Sequence, residues 1–455
     1  MENLQVLILA AGKGTRMKSG KAKVLHQVGG SALIERVFRA AQAVASRILV
    51  VVGHQGERVK ALLPAAVFVE QKQQLGTGHA VLSARDALRG FSGDLLILPG
   101  DVPLVGGDTL EHFVHFHREG GYAASVLTAD IGNPFGYGRI VRRNDNEVDS
   151  IVEHRDASPE VLQIQEINSS IYVFKTPELF AALAHVGNRN SQSEYYLTDV
   201  IGILTGEQEK VGAWKTASPV EILGINTRQE LAAIDHFLRQ QKCEVLMAEG
   251  VTIVDPESTF IDVDVQIGQD TVIYPSVQIE RGTVIGEDVT IRSFSRITNC
   301  KIGTRTTVLE GCVLVDSDIG EDVSIGPFAH LRQGATLADT VKVGNFVEIK
   351  KSRLGRGAKS AHLAYVGDAT IGKNVNIGAG VITANYDGTN KHETHVEDDA
   401  FIGTNSTLIA PVRVEKGAFV AAGSTITDDV PAEGLAIARG RQVVKEGRAP
   451  HRKKK

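Results

Sequence analysis

Several residues near the start of this chain are suited to handling phosphate. Leu9-Ala10-Ala11-Gly12-Lys13-Gly14-Thr15-Arg16-Met17 continues the aliphatic run of residues 6–10, and Lys23 comes close behind. Glycines after a strand let backbone amides approach a phosphate, while Arg16 and Lys23 supply positive charge. The loop is neither a Walker A sequence nor a dinucleotide fingerprint. No Gly-Lys-Ser/Thr follows, and Met17 stands where the third glycine would be. Taken alone, such a loop is often only a turn. Residues 95–98 run into Pro99-Gly100-Asp101, which sets a carboxylate at the carboxyl edge of a strand, where open α/β sheets bind ligands. Far downstream, Ile222-Leu223-Gly224-Ile225-Asn226 ends another aliphatic run in an amide. Asp101 and Asn226 could share a Mg²⁺, an ion that takes oxygen ligands and few of them from protein. Singly, each also reads as a turn cap.

A second group lies in the last third of the chain. His362 carries an imidazole, the ordinary group for taking a proton from an attacking amine near neutral pH. A lone loop histidine is more often a surface residue. Around it stand Lys350, Lys351, Arg353 and Tyr365, and further on Asn385, Tyr386, Asp387, Lys391 and His392. Arg332 and Lys350 each follow an inward aliphatic residue by one position, so both should project from the surface and could grip a phosphorylated substrate.

The elements that position these groups differ between the two halves. From residue 261 to 426 an aliphatic residue recurs at every sixth position: Ile261, Ile267, Ile273, Ile279, Ile285, Ile291, Ile297, then Ile319 to Ile349 and Val396 to Ile426. Neither an ordinary helix nor an ordinary strand has that period. It belongs to a solenoid whose turns bury their apolar edges only by stacking. Six residues make one flat side and three sides close a triangular coil, which predicts a parallel β-helix. The period breaks at residues 350–365 and 384–395, and the polar clusters named above fall in those breaks. Insertions in repeat proteins fall in loops outside the stacked core.

Before residue 228, short aliphatic runs (6–10, 48–52, 95–98, 123–127) alternate with segments of helical period, which predicts βα units on a mainly parallel sheet. Thr227-Arg228-Gln229-Glu230 matches a capping box, and Gly250 is a plausible stop. The expected organisation is a domain over residues 1–227, a linker helix over 228–249, and a β-helix domain over 250–455 ending in the basic tail His451-Arg452-Lys453-Lys454-Lys455.

At 455 residues the chain exceeds one ordinary core. A net charge of −5 argues against nucleic acid as a bulk partner. Three cysteines (Cys243, Cys300, Cys312) form neither a disulfide framework nor a zinc spacing, which suits a reducing, cytoplasmic setting. No apolar stretch approaches the roughly 20 residues of a membrane span. His112, His115 and His117 invite a metal reading, but Leu110, Phe113, Val114 and His117 fit one helical face.

The N-terminal loop, with Gln71, Gln74-Leu75-Gly76-Thr77-Gly78, Gly100-Asp101-Val102-Pro103, Gly136-Tyr137-Gly138-Arg139, Ile151-Val152-Glu153 and Glu166-Ile167-Asn168, resembles the sugar-nucleotide pyrophosphorylase family. With the β-helix attached, and Lys359-Ser360-Ala361-His362-Leu363-Ala364-Tyr365 resembling an acetyltransferase motif, the likeness extends to members that join both activities. It implies a Rossmann-like α/β nucleotidyltransferase domain followed by a left-handed parallel β-helix of hexapeptide repeats. It also implies acetyl transfer from acetyl-CoA to glucosamine-1-phosphate, then uridylyl transfer from UTP to N-acetylglucosamine-1-phosphate with release of pyrophosphate.

On that resemblance Leu9, Ala10, Ala11, Gly12, Gln71, Gly76, Thr77, Pro99 and Gly100 would hold the uridine nucleotide, with the Gln71 amide on the uracil edge. Gly138, Glu153 and Asn168 would line the acetamido-sugar pocket. Asp101 and Asn226 would hold Mg²⁺, with Arg16 and Lys23 on the phosphates. Arg332, Lys350, Tyr365, Asn376 and Lys391 would bind glucosamine-1-phosphate, with His362 as the base. Ala379, Asn385, Tyr386, Thr404, Ala422 and Arg439 would contact acetyl-CoA. The family usually has tyrosine in place of Pro99 and often serine in place of Thr404. Its members are homotrimers through the β-helix. Two rival readings keep nucleotidyl transfer alone, or make the solenoid solely an assembly module. A His/Tyr/Lys cluster is something a pure scaffold does not need.

Overall fold

A computed structural model describes residue 1 and residues 3–447, so the basic tail at 451–455 lies outside the described residues. The chain divides into two compact units, Met1–Asp235 and His236–Lys455.

The first unit is built on a nine-stranded sheet. Its strands are β1 (Leu4–Ala10), β2 (Ile48–Val52), β3 (Val67–Glu70), β4 (Asp94–Pro99), β5 (Ala124–Asp130), β6 (Arg139–Arg142), β7 (Val148–Val152), β8 (Glu166–Lys175) and β9 (Val211–Lys215). The path runs β9-β5-β8-β4-β1-β2-β3, with the β6–β7 hairpin joined at β8. β1 lies parallel to both β2 and β4, and β9 parallel to β5. Only β8 runs antiparallel within that path. Continuous aliphatic runs such as Ile48–Val52, buried throughout, are what strands covered on both faces require. Helix α1 (Leu33–Val44) packs on one face together with α2 (Gly107–Glu119). In α2 the buried side chains are Leu110, Phe113, Val114 and His117, the face expected from the spacing. His117 Nδ1 lies 2.9 Å from Ser125 Oγ, inside the fold.

Helix α3 (Arg228–Ala248) begins at the expected capping box, and the division between the two units falls within it. The Glu230 amide donates to Thr227 Oγ1 at 3.2 Å, and the Thr227 amide donates to Glu230 Oε2 at 2.9 Å. Such a cap stabilises a helix by about 0.5–2 kcal/mol. At the other end Gly250 takes φ +96°, while the Val251 amide returns to the Leu246 carbonyl.

The second unit is a parallel β-helix. Three sheets of eleven, ten and nine short strands form its sides, and each strand pairs with its counterpart one coil away. The inward ladder on one side runs Ile261, Ile279, Ile297, Leu314, Leu331, Ile349, Val366, each in register with the next. These side chains are 0–1 % exposed and belong to one continuous core. Each contributes about 1.5–3 kcal/mol of burial, which only stacked neighbours can provide. Corners are turned by residues in the left-handed region, among them Asp270, Asp288, Asp322 and Asn374, types that tolerate it.

Two expectations about this repeat need correction. Residues 350–365 are not an insertion. The sides Ile349–Leu354 and Leu354–Ser360 are five and six residues, and strands Arg353–Leu354 and Lys359–His362 stay in register with both neighbouring coils. The period is hidden because one side is a residue short and because Ser360, fully buried, occupies an inward aliphatic position. His362 therefore stands at the end of a strand and not in a loop. The later break is genuine. Ile371 pairs directly with Val396, so a coil of 25 positions carries the extra segment outside the core.

Candidate active sites

In the first unit the carboxyl ends of β1 and β4 lie side by side, Leu9 opposite Pro99, and the Gly100 amide donates to the Leu9 carbonyl at 2.9 Å. The loop after β1 passes through Gly14 at φ +61°, where a Cβ would come within 2.6 Å of Lys23 Cβ. Nothing lies within 4 Å of the corresponding point on Gly12, leaving its backbone open. Thr15–Met17 forms one 3-10 turn anchored by buried Met17, which presents Arg16 outward.

Those turns bring together groups far apart in sequence. The Lys23 ammonium is paired with the Asp101 carboxylate and also donates to Asn226 Oδ1 at 3.0 Å. Arg16 Nη2 donates to the same Asn226 oxygen at 2.7 Å. The Ile225 amide holds the Asp101 carbonyl at 3.0 Å, which ties the downstream run to the end of β4. That run leaves a 3-10 turn, Pro219–Ile222, with Leu223 in extended conformation. Asp101 and Asn226 thus aim oxygens at one cation, the ammonium. Such a donor set fits a hard divalent ion with few protein ligands. Among the described residues no cluster of three or more His, Cys, Asp or Glu offers a denser alternative.

Gln71 follows β3 and is buried; its amide nitrogen lies 3.2 Å from the Gly76 carbonyl and 3.0 Å from His79 Nδ1. Gly76 at φ +110° packs where a Cβ would meet the Tyr195 carbonyl at 2.6 Å. Thr77 Oγ1 accepts from the Leu197 amide at 3.0 Å. On the β6–β7 hairpin side, the Asn168 amide donates to the Gly138 carbonyl at 3.0 Å, and a Cβ at Gly138 would lie 3.6 Å from Glu153 Oε2. Burial raises the Glu153 carboxyl above its ordinary range, partly offset by a hydrogen bond from Thr198. Burial raises the Tyr137 hydroxyl above its ordinary range, with the Gly224 backbone opposing.

In the second unit Arg332 and Lys350 occupy the same position on successive coils. Arg332 is a third exposed and pairs with Glu348 at 2.7 Å. Lys350 does not project into solvent as expected; its side chain is only 8 % exposed. It lies 3.7 Å from Asp368, a buried carboxylate that Lys351 approaches to 3.5 Å and to which the Asn385 amide donates. The Lys391 ammonium is lowered below the usual lysine range, chiefly by the Lys350 side chain and then by its charge, with Asp368 and Tyr365 opposing. Tyr365 Oη lies 3.5 Å from the Asn385 amide nitrogen.

The extra segment is closed on itself. The His392 amide donates to the Asn385 carbonyl, Tyr386 bridges Lys391, and the Asp387 carboxyl is pulled down to about 2 by the amides of Asn390 and Thr389 and by His392. Asn376 starts a strand in register with Lys359. Ala379, Thr404 and Ala422 follow the stack upward: a Cβ at Gly378 would meet the Thr404 nitrogen, and one at Gly403 the Ala422 nitrogen. Arg439 Nη1 donates to the Ala422 carbonyl at 2.7 Å.

His362 Nδ1 lies 2.6 Å from Asn345 Oδ1, one coil below. Sequence reasoning passed over Asn345 and Asp368. Each stands 17 positions before a residue it meets, His362 and Asn385, so coil length was the signal available for both.

Comparison with known proteins gives three family models. Residues 6–167 match a MobA-like NTP transferase domain, residues 245–355 a GMPPB C-terminal domain, and residues 394–428 a hexapeptide repeat of succinyl-transferase. Curated relatives named "Bifunctional protein GlmU" align almost end to end. That of Koribacter versatilis is 48 % identical over 462 residues, covering 99 % of this chain and 98 % of its own. A Geobacillus relative is 50 % identical over 442 residues, covering 97 % and 96 %. That of Halalkalibacterium halodurans is 48 % identical over 448 residues, covering 98 % of each.

Proposed function

The chain belongs to the bifunctional GlmU family, and we propose on that premise that it acetylates glucosamine-1-phosphate with acetyl-CoA and then uridylylates the product with UTP, yielding UDP-N-acetylglucosamine and pyrophosphate. One observation carries the reading: a chain that aligns end to end with those relatives keeps a phosphate-handling cluster in one unit and a His/Lys/Asn cluster in the other. Residues 1–227 form the uridylyltransferase domain, α3 within 228–249 the connection, and residues 250–455 the acetyltransferase domain, built on a left-handed β-helix among its described residues.

In uridylyl transfer an oxygen of the sugar phosphate attacks the α-phosphorus of UTP in line. That nucleophile is already ionised, so the residues act by positioning and by neutralising charge. Arg16 and Lys23 take the phosphates, and Lys23 exchanges its present partners for them. Leu9 to Gly12, Gln71, Gly76, Thr77, Pro99 and Gly100 surround the nucleotide; Gly138, Glu153 and Asn168 face the acetamido sugar. This class of transfer uses a metal, and we assign Mg²⁺ to Asp101 and Asn226, where it would supply neutralising charge. With proline at position 99, a tyrosine hydroxyl contact is absent.

In acetyl transfer Lys350 and Lys391 receive the sugar phosphate, with Arg332, Tyr365 and Asn376 around the ring. His362 takes the amine proton. Ala379, Asn385, Tyr386, Thr404, Ala422 and Arg439 line the coenzyme. An exposed apolar series at one corner, Phe294, Phe328, Phe346 and Leu363, supports self-association, with Phe328 and Phe346 stacked at 5.5 Å. It ends beside His362, and the homotrimer of the family is the assembly we propose. No helix among the described residues is long and apolar enough to cross a membrane. Three buried free thiols support a reducing, cytoplasmic home.

Purified protein given glucosamine-1-phosphate and acetyl-CoA should release free thiol. No release above a His362→Ala control would defeat the acetyltransferase half.

A further inference from the structure

We propose that Asn345 is a positioning residue for the His362 base: its amide oxygen accepts the Nδ1 proton and leaves Nε2 free to take a proton from the substrate amine. The inference rests on the acetyl-transfer reading above and extends it to a residue one coil away.

The strands Lys342–Asn345 and Lys359–His362 lie parallel and in register, with Asn345 opposite His362. The Leu363 amide donates to the Asn345 carbonyl at 3.0 Å, so the lower coil grips the corner from which the imidazole emerges. From above, the Gly380 amide donates to the His362 carbonyl at 3.3 Å. The backbone is thus fixed on both sides. The side chain is exposed, so packing does not set the tilt of its ring. The contact from Nδ1 to Asn345 Oδ1, 2.6 Å long, does.

The chemistry calls for that partner. The amine nitrogen attacks the thioester carbonyl carbon, and a C–N bond forms. The nitrogen's proton passes to His362 Nε2, the C–S bond breaks, and coenzyme A leaves with the sulfur electron pair. A neutral imidazole has one N–H and one lone pair, and only the Nδ1–H tautomer presents the lone pair at Nε2. An acceptor at Nδ1 selects that tautomer and steadies the imidazolium that forms. An amide oxygen does so without a full charge. A carboxylate there would favour the protonated ring and reduce the fraction able to act as a base. The charged residues on these two strands are Lys342 and Lys359, paired with each other three positions back, with Asn376 following on the next coil. They are unchanged among Asn345 variants, so a comparison of pH profiles isolates the residue at 345.

The test uses the full chain and thiol release across pH, with wild type, Asn345→Ala and Asn345→Asp. Asn345→Ala should lower kcat for acetyl transfer by about tenfold or more while KM for both substrates stays within about twofold. Asn345→Asp should shift the acid limb of the kcat profile to higher pH. An unchanged melting temperature and retained KM values show that the variants fold. The inference falls if Asn345→Ala keeps wild-type kcat, if the loss is carried by KM alone, or if Asn345→Asp leaves the acid limb in place. A wild-type protein that releases no thiol above His362→Ala removes the acetyl-transfer reading itself, and is told apart by that control.

Discussion

The Lys23 ammonium reaches the Asn226 amide oxygen at 3.0 Å, joining residues 203 positions apart, while also paired with Asp101. A lysine between two oxygen donors holds the three segments together, and on the proposed reading it gives way when phosphate and metal enter. Asp101→Ala should therefore lower metal-dependent pyrophosphate release on the order of 100-fold and leave acetyl transfer intact. Pyrophosphate followed over a Mg²⁺ titration, beside thiol release, checks both halves; loss of both would speak against independent sites.

Gly14 is tied to the same cluster by sterics. Its φ of +61° disfavours a side chain, and an added methyl would meet Lys23 Cβ at 2.6 Å. Gly14→Ala should cost about 1–2 kcal/mol locally and move Lys23. The expected result is a fall in uridylyl transfer of roughly tenfold, since about 1.4 kcal/mol corresponds to that factor, with acetyl transfer unaffected.

Glu153 gives a pH prediction. Burial raises its carboxyl in the folded chain, so the native state holds that proton more tightly than the unfolded one. Stability from this group is present below the ordinary carboxylate range and declines as pH rises through the raised folded value. Glu153→Gln should thus raise the melting temperature of the first unit at neutral pH, by about 2–4 °C if the relief is near 1 kcal/mol. The advantage should vanish below about pH 4, where both side chains are neutral. The same variant should weaken N-acetylglucosamine-1-phosphate binding, read as a higher KM.

Lys350 lowers the Lys391 ammonium below its usual range, and on the proposed reading a sugar phosphate bound by both would relieve that. Lys350→Met should raise KM for glucosamine-1-phosphate by about 10–100-fold, the worth of one charge-assisted hydrogen bond. Removing the neighbouring charge should also return Lys391 toward the ordinary lysine range, measurable by NMR titration of its side chain.

Much of this was legible beforehand, and for identifiable reasons. The β1 run, the Thr227–Glu230 cap and the six-residue ladder are local or periodic, and burial writes such signals directly into residue order. The 350–365 region was misread because a shortened side and an inward Ser360 erase the period while leaving strand pairing intact. Lys350 was expected in solvent because position along a coil gives direction but not what covers it. The closure of Lys23 on Asp101 and Asn226 depends on three distant chain segments meeting, which no window of sequence contains.

The coil from Ile371 to Val396 adds its surplus residues without disturbing the ladder on either side. Insertions and deletions there should be tolerated by the fold while altering the surface beside Lys350. In descent, that makes the segment a place where length can drift and selectivity can be tried, whereas the coils that carry His362 vary only between 17 and 18 positions and keep their register.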